Sequence, residues 1–131
     1  MSTSPSCVRK SGRTILVADD APEVRAFVAE FLHRTGYQVL QAVDGVDALD
    51  VAAQHSGLID LLLTDIEMPR LNGRGLSRRL SDRRPETRTL FMSGQSNTGL
   101  ARGTPFLPKP FAGRDLLRKV SEVLERKLAT R

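Results

Sequence analysis

Apolar positions along the chain follow two rhythms, short unbroken runs and stripes at helical spacing. Thr14 to Ala18 and Ile59 to Leu63 belong mainly to the first kind. Runs of that length, rich in Val, Ile and Leu, suit strands buried on both faces of a sheet. Between them, Val24, Phe27, Val28, Phe31 and Leu32 recur at helical spacing. They predict one apolar face of a helix opened by Ala21-Pro22 and stopped at Gly36. Gln38 to Val43 reads as a second strand, and Asp44-Gly45 turns the chain into a helix whose predicted buried side is Val46, Leu49, Ala52 and Ala53.

After the third strand, Pro69, Asn72 and Gly73 mark a turn. A helix from about Gly73 to Arg83 follows, with Leu76 and Leu80 inward and Pro85 beyond its end. Thr89 to Met92 is the fourth strand candidate, closing on Ser93-Gly94. Gln95 to Pro105 has no clear helical period, and Phe106-Leu107 is a minimal fifth strand before Pro108-Lys109-Pro110-Phe111. The last helix is predicted from about Ala112 to Leu128, with Leu116, Leu117, Val120, Val123 and Leu124 on one face. Asp115 in its first turn and Arg126 with Lys127 in its last suit the helix dipole, although Ala112 is a poor cap. Strands alternating with amphipathic helices imply an α/β fold, a parallel sheet covered on both sides in a three-layer αβα sandwich. The pattern leaves strand order open.

Length and composition narrow the class. At 131 residues, one domain is expected. We place a mobile Ser-rich tail at residues 1–12, the domain at 13–128 and a short C-terminal tail at 129–131. No apolar run approaches the roughly 18 residues of a membrane span, and the N-terminus lacks the apolar core of a secretory signal. The single cysteine, Cys7, excludes an internal disulfide, so the cytoplasm is the expected compartment. A net charge of +5 is the kind that suits nucleic acid, but the arginines scatter across Arg70 to Arg88 and Arg114 to Arg131 without interleaved aromatics. With no zinc-ligand spacing and no helix-turn-helix after the domain, we expect a solvated basic surface and no dedicated nucleic-acid-binding module. An acidic protein partner is compatible with that surface.

Candidate chemistry gathers at one edge. Four strand ends bring Asp19 and Asp20, Asp65, Ser93 and Lys109 to the carboxyl side of the sheet, where ligands of open α/β sheets bind. Three carboxylates there would raise one another's pKa unless a cation sits among them. Hard oxygen ligands with few protein contributors suit Mg²⁺ shared with a phosphate. The residues thus point to a magnesium-dependent phosphoryl site with an aspartate nucleophile.

The run Asp65-Ile66-Glu67-Met68-Pro69-Arg70-Leu71-Asn72-Gly73 resembles the phosphoacceptor segment of two-component response-regulator receiver domains. The likeness covers about residues 13–128. It implies five parallel strands in the flavodoxin-like order 2-1-3-4-5. It makes Asp65 the phosphoacceptor, Asp20 a direct Mg²⁺ ligand, Asp19 a second or water-mediated one, and the Glu67 backbone carbonyl part of the metal shell. Ser93 and Lys109 would hold phosphoryl oxygens, Ser93 and Phe106 would form the switch, and Lys109-Pro110 would be cis. The implied protein is a signalling switch that catalyses only its own phosphorylation and dephosphorylation. A histidine kinase or phosphotransfer protein is the implied donor, and a homodimer is admitted.

Each residue also has a plainer reading: Asp20 as a helix cap, Ser93 as a turn residue, Lys109 as a surface lysine, Phe106 as core. His33 and His55 are expected at the surface. One departure stands out. Only fifteen residues separate Ser93 from Lys109, fewer than the family usually has, so the fourth helix is expected to be shortened or missing. Rival classes fit less well. A phosphohydrolase of the haloacid-dehalogenase type wants a second Asp where Glu67 stands, and an FMN binder would not place Asp19-Asp20 beside phosphate. A receiver-like binding module without phosphorylation would not need the complete acid set. Because no output domain follows the last helix, we expect a stand-alone receiver or one from a hybrid kinase.

Overall fold

The apolar runs do become buried strands, and the helical stripes cover them from both sides. The structure, a computed structural model, describes residues 12–95 and 99–126. The chain runs β1 (Thr14–Ala18), α1 (Pro22–Arg34), β2 (Gln38–Ala42), α2 (Gly45–Gln54), β3 (Leu61–Asp65), α3 (Gly73–Arg83), β4 (Arg88–Ser93), β5 (Phe106–Pro108) and α4 (Gly113–Glu125). All strand pairs are parallel, in the order β2-β1-β3-β4-β5, as the resemblance implied. Every residue of β1 and β3 is buried, which accounts for their unbroken apolar runs.

The pleat divides the core in two. Ile15, Val17, Leu61, Leu63, Leu90 and Met92 face α1 and α4. Leu16, Ala18, Ala42 and Leu62 face α2 and α3, where Ala48, Ala52, Leu76 and Leu80 close the layer. The last residues of β3 and β4 are Asp65 and Ser93, and Asp19 directly follows β1.

Several expectations need correction. Phe27 is 45% exposed rather than on the inner face of α1, because its ring turns sideways to Phe31 and Phe111, at centroid distances of 6.2 and 6.4 Å. In α2 the buried alanines are Ala48 and Ala52, while Ala53 points outward. Alanine's small side chain carries too little apolar signal to fix the helix phase. β2 stops at Ala42, leaving Val43 exposed, and β4 extends to Arg88 and Ser93 at its two ends. The last helix ends at Glu125, where Arg126 adopts an extended conformation at the C-cap; Lys127 and the predicted end at Leu128 are outside the described residues. Two cationic side chains cap that end instead. Arg13 donates to the Leu124 carbonyl, and Arg88 to those of Val123 and Leu124. The tails at 1–11 and 129–131, with Cys7, likewise lie outside the described residues.

Between β4 and β5, none of residues 94, 95 and 99–105 is helical, which fits the short spacing there. Four helices are present among the described residues. At α4, Asp115 compensates for the weak cap Ala112 by accepting from its backbone N–H at 3.1 Å.

Candidate functional site

Asp19, Asp20 and Asp65 each present a carboxylate oxygen, and these three atoms lie within 4.8 Å of one another. Their environments differ. Asp19 is fully buried, Asp65 nearly so, and Asp20 is exposed. Asp19 is fixed by its neighbours: its Oδ1 accepts from the Ala21 backbone N–H at 2.9 Å, and Arg25 donates to its carbonyl at 2.7 Å. Its other oxygen, Oδ2, meets the Lys109 ammonium at 3.1 Å. The same ammonium lies 3.5 Å from Asp65 Oδ2. Lys109 thus bridges two buried acids from the end of β5. Its own position is set by a backbone bond from its N–H to the Ser93 carbonyl at 2.8 Å and by the cis Lys109-Pro110 peptide.

Asp20 makes no helix cap: Ala21 occupies the N-cap of α1 and offers no side-chain bond. That removes the plainer reading of Asp20 and leaves its carboxylate turned to the cluster. Ser93 is buried, and its Oγ accepts from the Gln95 N–H at 3.0 Å, a turn contact that holds the hydroxyl at the edge. Glu67 is exposed and its backbone N–H lies beside the Asp65 carboxyl. Phe106 is half-buried in β5, in register with Phe91. His33 is exposed and His55 sits at the C-cap of α2, both away from the cluster.

Sequence reasoning missed two features. The first is a clamp on the loop after Asp65. Arg70, at φ 69°, sends its guanidinium to both oxygens of Asp44, at 2.8 and 3.1 Å. Asp44 also caps α2 by accepting from the Asp47 N–H, and the Arg70 bond leads the causes that hold its carboxyl below the usual range. Gly45 lets the loop close on α2, since a Cβ there would stand 2.2 Å from the Leu71 carbonyl. No periodicity signals such a pair, because it joins residues 26 apart through an irregular loop. The second is a groove of about 260 Å³ beside Lys109, lined by Glu23, Val24, Phe27, Pro110 and Phe111. Phe27 was legible as apolar but was assigned to the core.

Burial raises the pKa of Asp65 above the ordinary carboxylate value; Lys109 pulls it back and Asp19 pushes it up. A raised folded pKa means the native state binds this proton more tightly than the unfolded chain does. Asp65 therefore adds stability in acid, and that contribution is lost as the pH climbs through the folded value. Asp65→Asn should then melt above the wild type at pH 7 without divalent cation, and the gap should close toward pH 4. Melting curves at the two pH values check this; equal midpoints at pH 7 would contradict it.

A buried, cation-neutralised acid cluster at strand ends can hold one hard cation and present one carboxylate as a nucleophile. Comparison with known proteins points the same way. Residues 15–121 match the family model described as response regulator receiver domain. The chain is 34% identical over 119 residues to the sensor kinase CckA of Brucella abortus, covering 86% of this chain but 13% of that protein. It is 31% identical over 118 residues to the response regulator receiver protein CpdR of the same organism, covering 86% of this chain and 97% of the relative. The response regulator TrrA of Thermotoga maritima, solved in complex with Mg²⁺-BeF, superposes with a TM-score of 0.73 at 28% identity, covering 85% of this chain and 98% of the other.

Proposed function

The chain belongs to the response-regulator receiver family, signalling domains of two-component systems rather than metabolic enzymes, and on that premise we propose that Asp65 accepts a phosphoryl group from a histidine kinase or phosphotransfer protein. The observation that carries this reading is the Lys109 ammonium set between the buried carboxylates of Asp19 and Asp65. It leaves Asp65 close to a fixed cation and within one ligand sphere of two further acids.

Asp19, Asp20 and Asp65, with the Glu67 backbone carbonyl, would hold Mg²⁺, and the all-oxygen donor set fits that ion. When bound, the ion supplies positive charge beside the phosphoryl oxygens. The chain's own groups do the rest. An Asp65 carboxylate oxygen forms the new bond to phosphorus as the bond from phosphorus to the donor nitrogen breaks, and the bonding pair leaves with the donor imidazole. The Lys109 ammonium and the Ser93 hydroxyl then bond phosphoryl oxygens, as charge-assisted pairs do. Ser93 can donate its O–H to a phosphoryl oxygen while its Oγ still accepts from the Gln95 N–H, a bond that orients the hydroxyl at the site. We assign Phe106 to the same switch, with half-burial in β5 as the support. The apolar groove at Phe27 and Phe111 adjoins Lys109 and suits an apolar donor surface approaching Asp65.

The family membership implies a histidine kinase as the chain's counterpart, and no helix among the described residues is long and apolar enough to cross a membrane. We place the chain in the cytoplasm, where kinase donors of this kind present their phosphohistidine. Autodephosphorylation completes the cycle: a water oxygen bonds to phosphorus as the bond to Asp65 breaks, the pair returns to the Asp65 carboxylate, and inorganic phosphate leaves. Metal binding tests the site: Mg²⁺ should raise the melting midpoint at pH 7 and leave Asp20→Asn almost unmoved. A wild type indifferent to millimolar Mg²⁺ would contradict the proposed ligand set.

A further inference from the structure

The positive charge of this protein is not spread over its surface. Seven of its twenty basic residues, all arginine, fall between Arg70 and Arg88, against only Asp82 and Glu86. That segment alone carries the formal net charge of +5, and the remaining thirteen basic and thirteen acidic residues cancel. The segment is α3 with its two flanks.

The flanking arginines are engaged. Arg70 clamps Asp44. Arg84 pairs with Glu86 and donates to the carbonyls of Ala52, His55 and Gly57 at the end of α2. Arg88 caps α4. Those on the outer face of α3 are different. Arg78, Arg79 and Arg83 are exposed and make no ion pair or hydrogen bond among the described residues. Leu76 and Leu80 turn the opposite side of the same helix into the core, so this face is held rigidly outward. Three long cations on one short helix repel one another, a cost that an anionic partner would relieve.

We propose that the outer face of α3 docks an acidic segment of a partner protein. Arginine's planar fork matches carboxylates in pairs, and all the basic residues here are arginine rather than lysine. A nucleic acid fits less well. The 11-residue helix offers a basic strip of only about 16 Å, and the neutral remainder of the chain gives a polyanion no basic surface to follow. Asp82 sits among the arginines and would repel a continuous phosphate backbone, whereas a peptide can place a polar residue opposite it. No aromatic residue lies on α3 to stack a base. This surface is separate from Asp65, and the inference does not rest on phosphorylation.

Fluorescence anisotropy with a labelled 16-residue Glu-rich peptide tests it, beside a labelled 20-base-pair DNA duplex. Two triple variants of equal net charge are compared, Arg78→Gln/Arg79→Gln/Arg83→Gln on α3 and Arg114→Gln/Arg118→Gln/Arg126→Gln along α4. Removing three rim charges from a docking face should weaken peptide binding by about tenfold or more, while the α4 triple stays near wild type. Circular dichroism confirms that both variants fold; should the α3 triple unfold, the single Arg78→Gln and Arg79→Gln variants take its place. Wild type that ignores the peptide, equal losses from the two triples, or tighter binding of the duplex than of the peptide would overturn the proposal.

Discussion

Lys109→Gln is expected to lose phosphoryl acceptance by about a hundredfold, the loss typical of removing one preorganised donor from a developing oxyanion. The substitution keeps much of the side chain's length and a hydrogen-bond donor but removes the ammonium that stands 3.5 Å from Asp65. It also deprives the fully buried Asp19 carboxylate of its ion-pair partner, with the Ala21 N–H still bonded to its other oxygen. Losing one partner of a buried pair costs more than the pair contributes, because the stranded charge stays desolvated. Without metal the variant should therefore melt well below wild type. It should gain more from Mg²⁺ than wild type does, since a cation replaces the missing charge without competition. Rates of acetyl phosphate uptake and melting with and without Mg²⁺ separate the two effects. A variant that is phosphorylated at the wild-type rate would remove Lys109 from the chemistry.

Gly73→Ala should produce a large loss of stability right at the site. A Cβ on Gly73 would lie 2.2 Å from the Asp65 carbonyl oxygen and 3.0 Å from the Ile66 Cα, both backbone atoms that cannot rotate away. Gly73 is the first residue of α3, and its N–H donates to the Ile66 carbonyl at 2.9 Å, so helix and strand end are already drawn together there. Alanine's helix propensity would return at most about 1 kcal/mol. Overpacking against backbone costs about 1–3 kcal/mol or more, so the clash decides the sign. We expect a net loss of about 2 kcal/mol and a melting midpoint lower by roughly 5–10 °C. Because the contact is with Asp65 itself, Mg²⁺ affinity should fall with it. A variant as stable as wild type would show that the approach of α3 to β3 is looser than described.

The layered fold was legible because β1 and β3 are unbroken apolar runs and because Leu76, Leu80, Leu116 and Val120 keep helical phase. Burial on two faces writes itself into sequence in this direct way. The strand order did not, since nothing in a strand's composition names its neighbour; the resemblance around Asp65 supplied it. Helix phase failed where residues were small or lay at the border of a face, as at Ala53 and Phe27. The three acids and Lys109 were found by their places at strand ends, which topology alone converts into proximity. Their differences in burial were not readable: Asp19 and Asp20 are adjacent in sequence, yet one is sealed by α1 and Lys109 and the other stands in solvent. The Arg70–Asp44 clamp was hidden for another reason. It is a long-range contact between two irregular segments, and such contacts leave no period.

The central claim is that Asp65 is the phosphorylated residue. Intact mass after incubation with Mg²⁺ and acetyl phosphate, wild type beside Asp65→Asn, tests it most directly. A gain of one phosphoryl group, about 80 Da, is expected in wild type only, and its loss when the metal is chelated. An adduct that persists in Asp65→Asn, or a wild type that gains no mass, would contradict it.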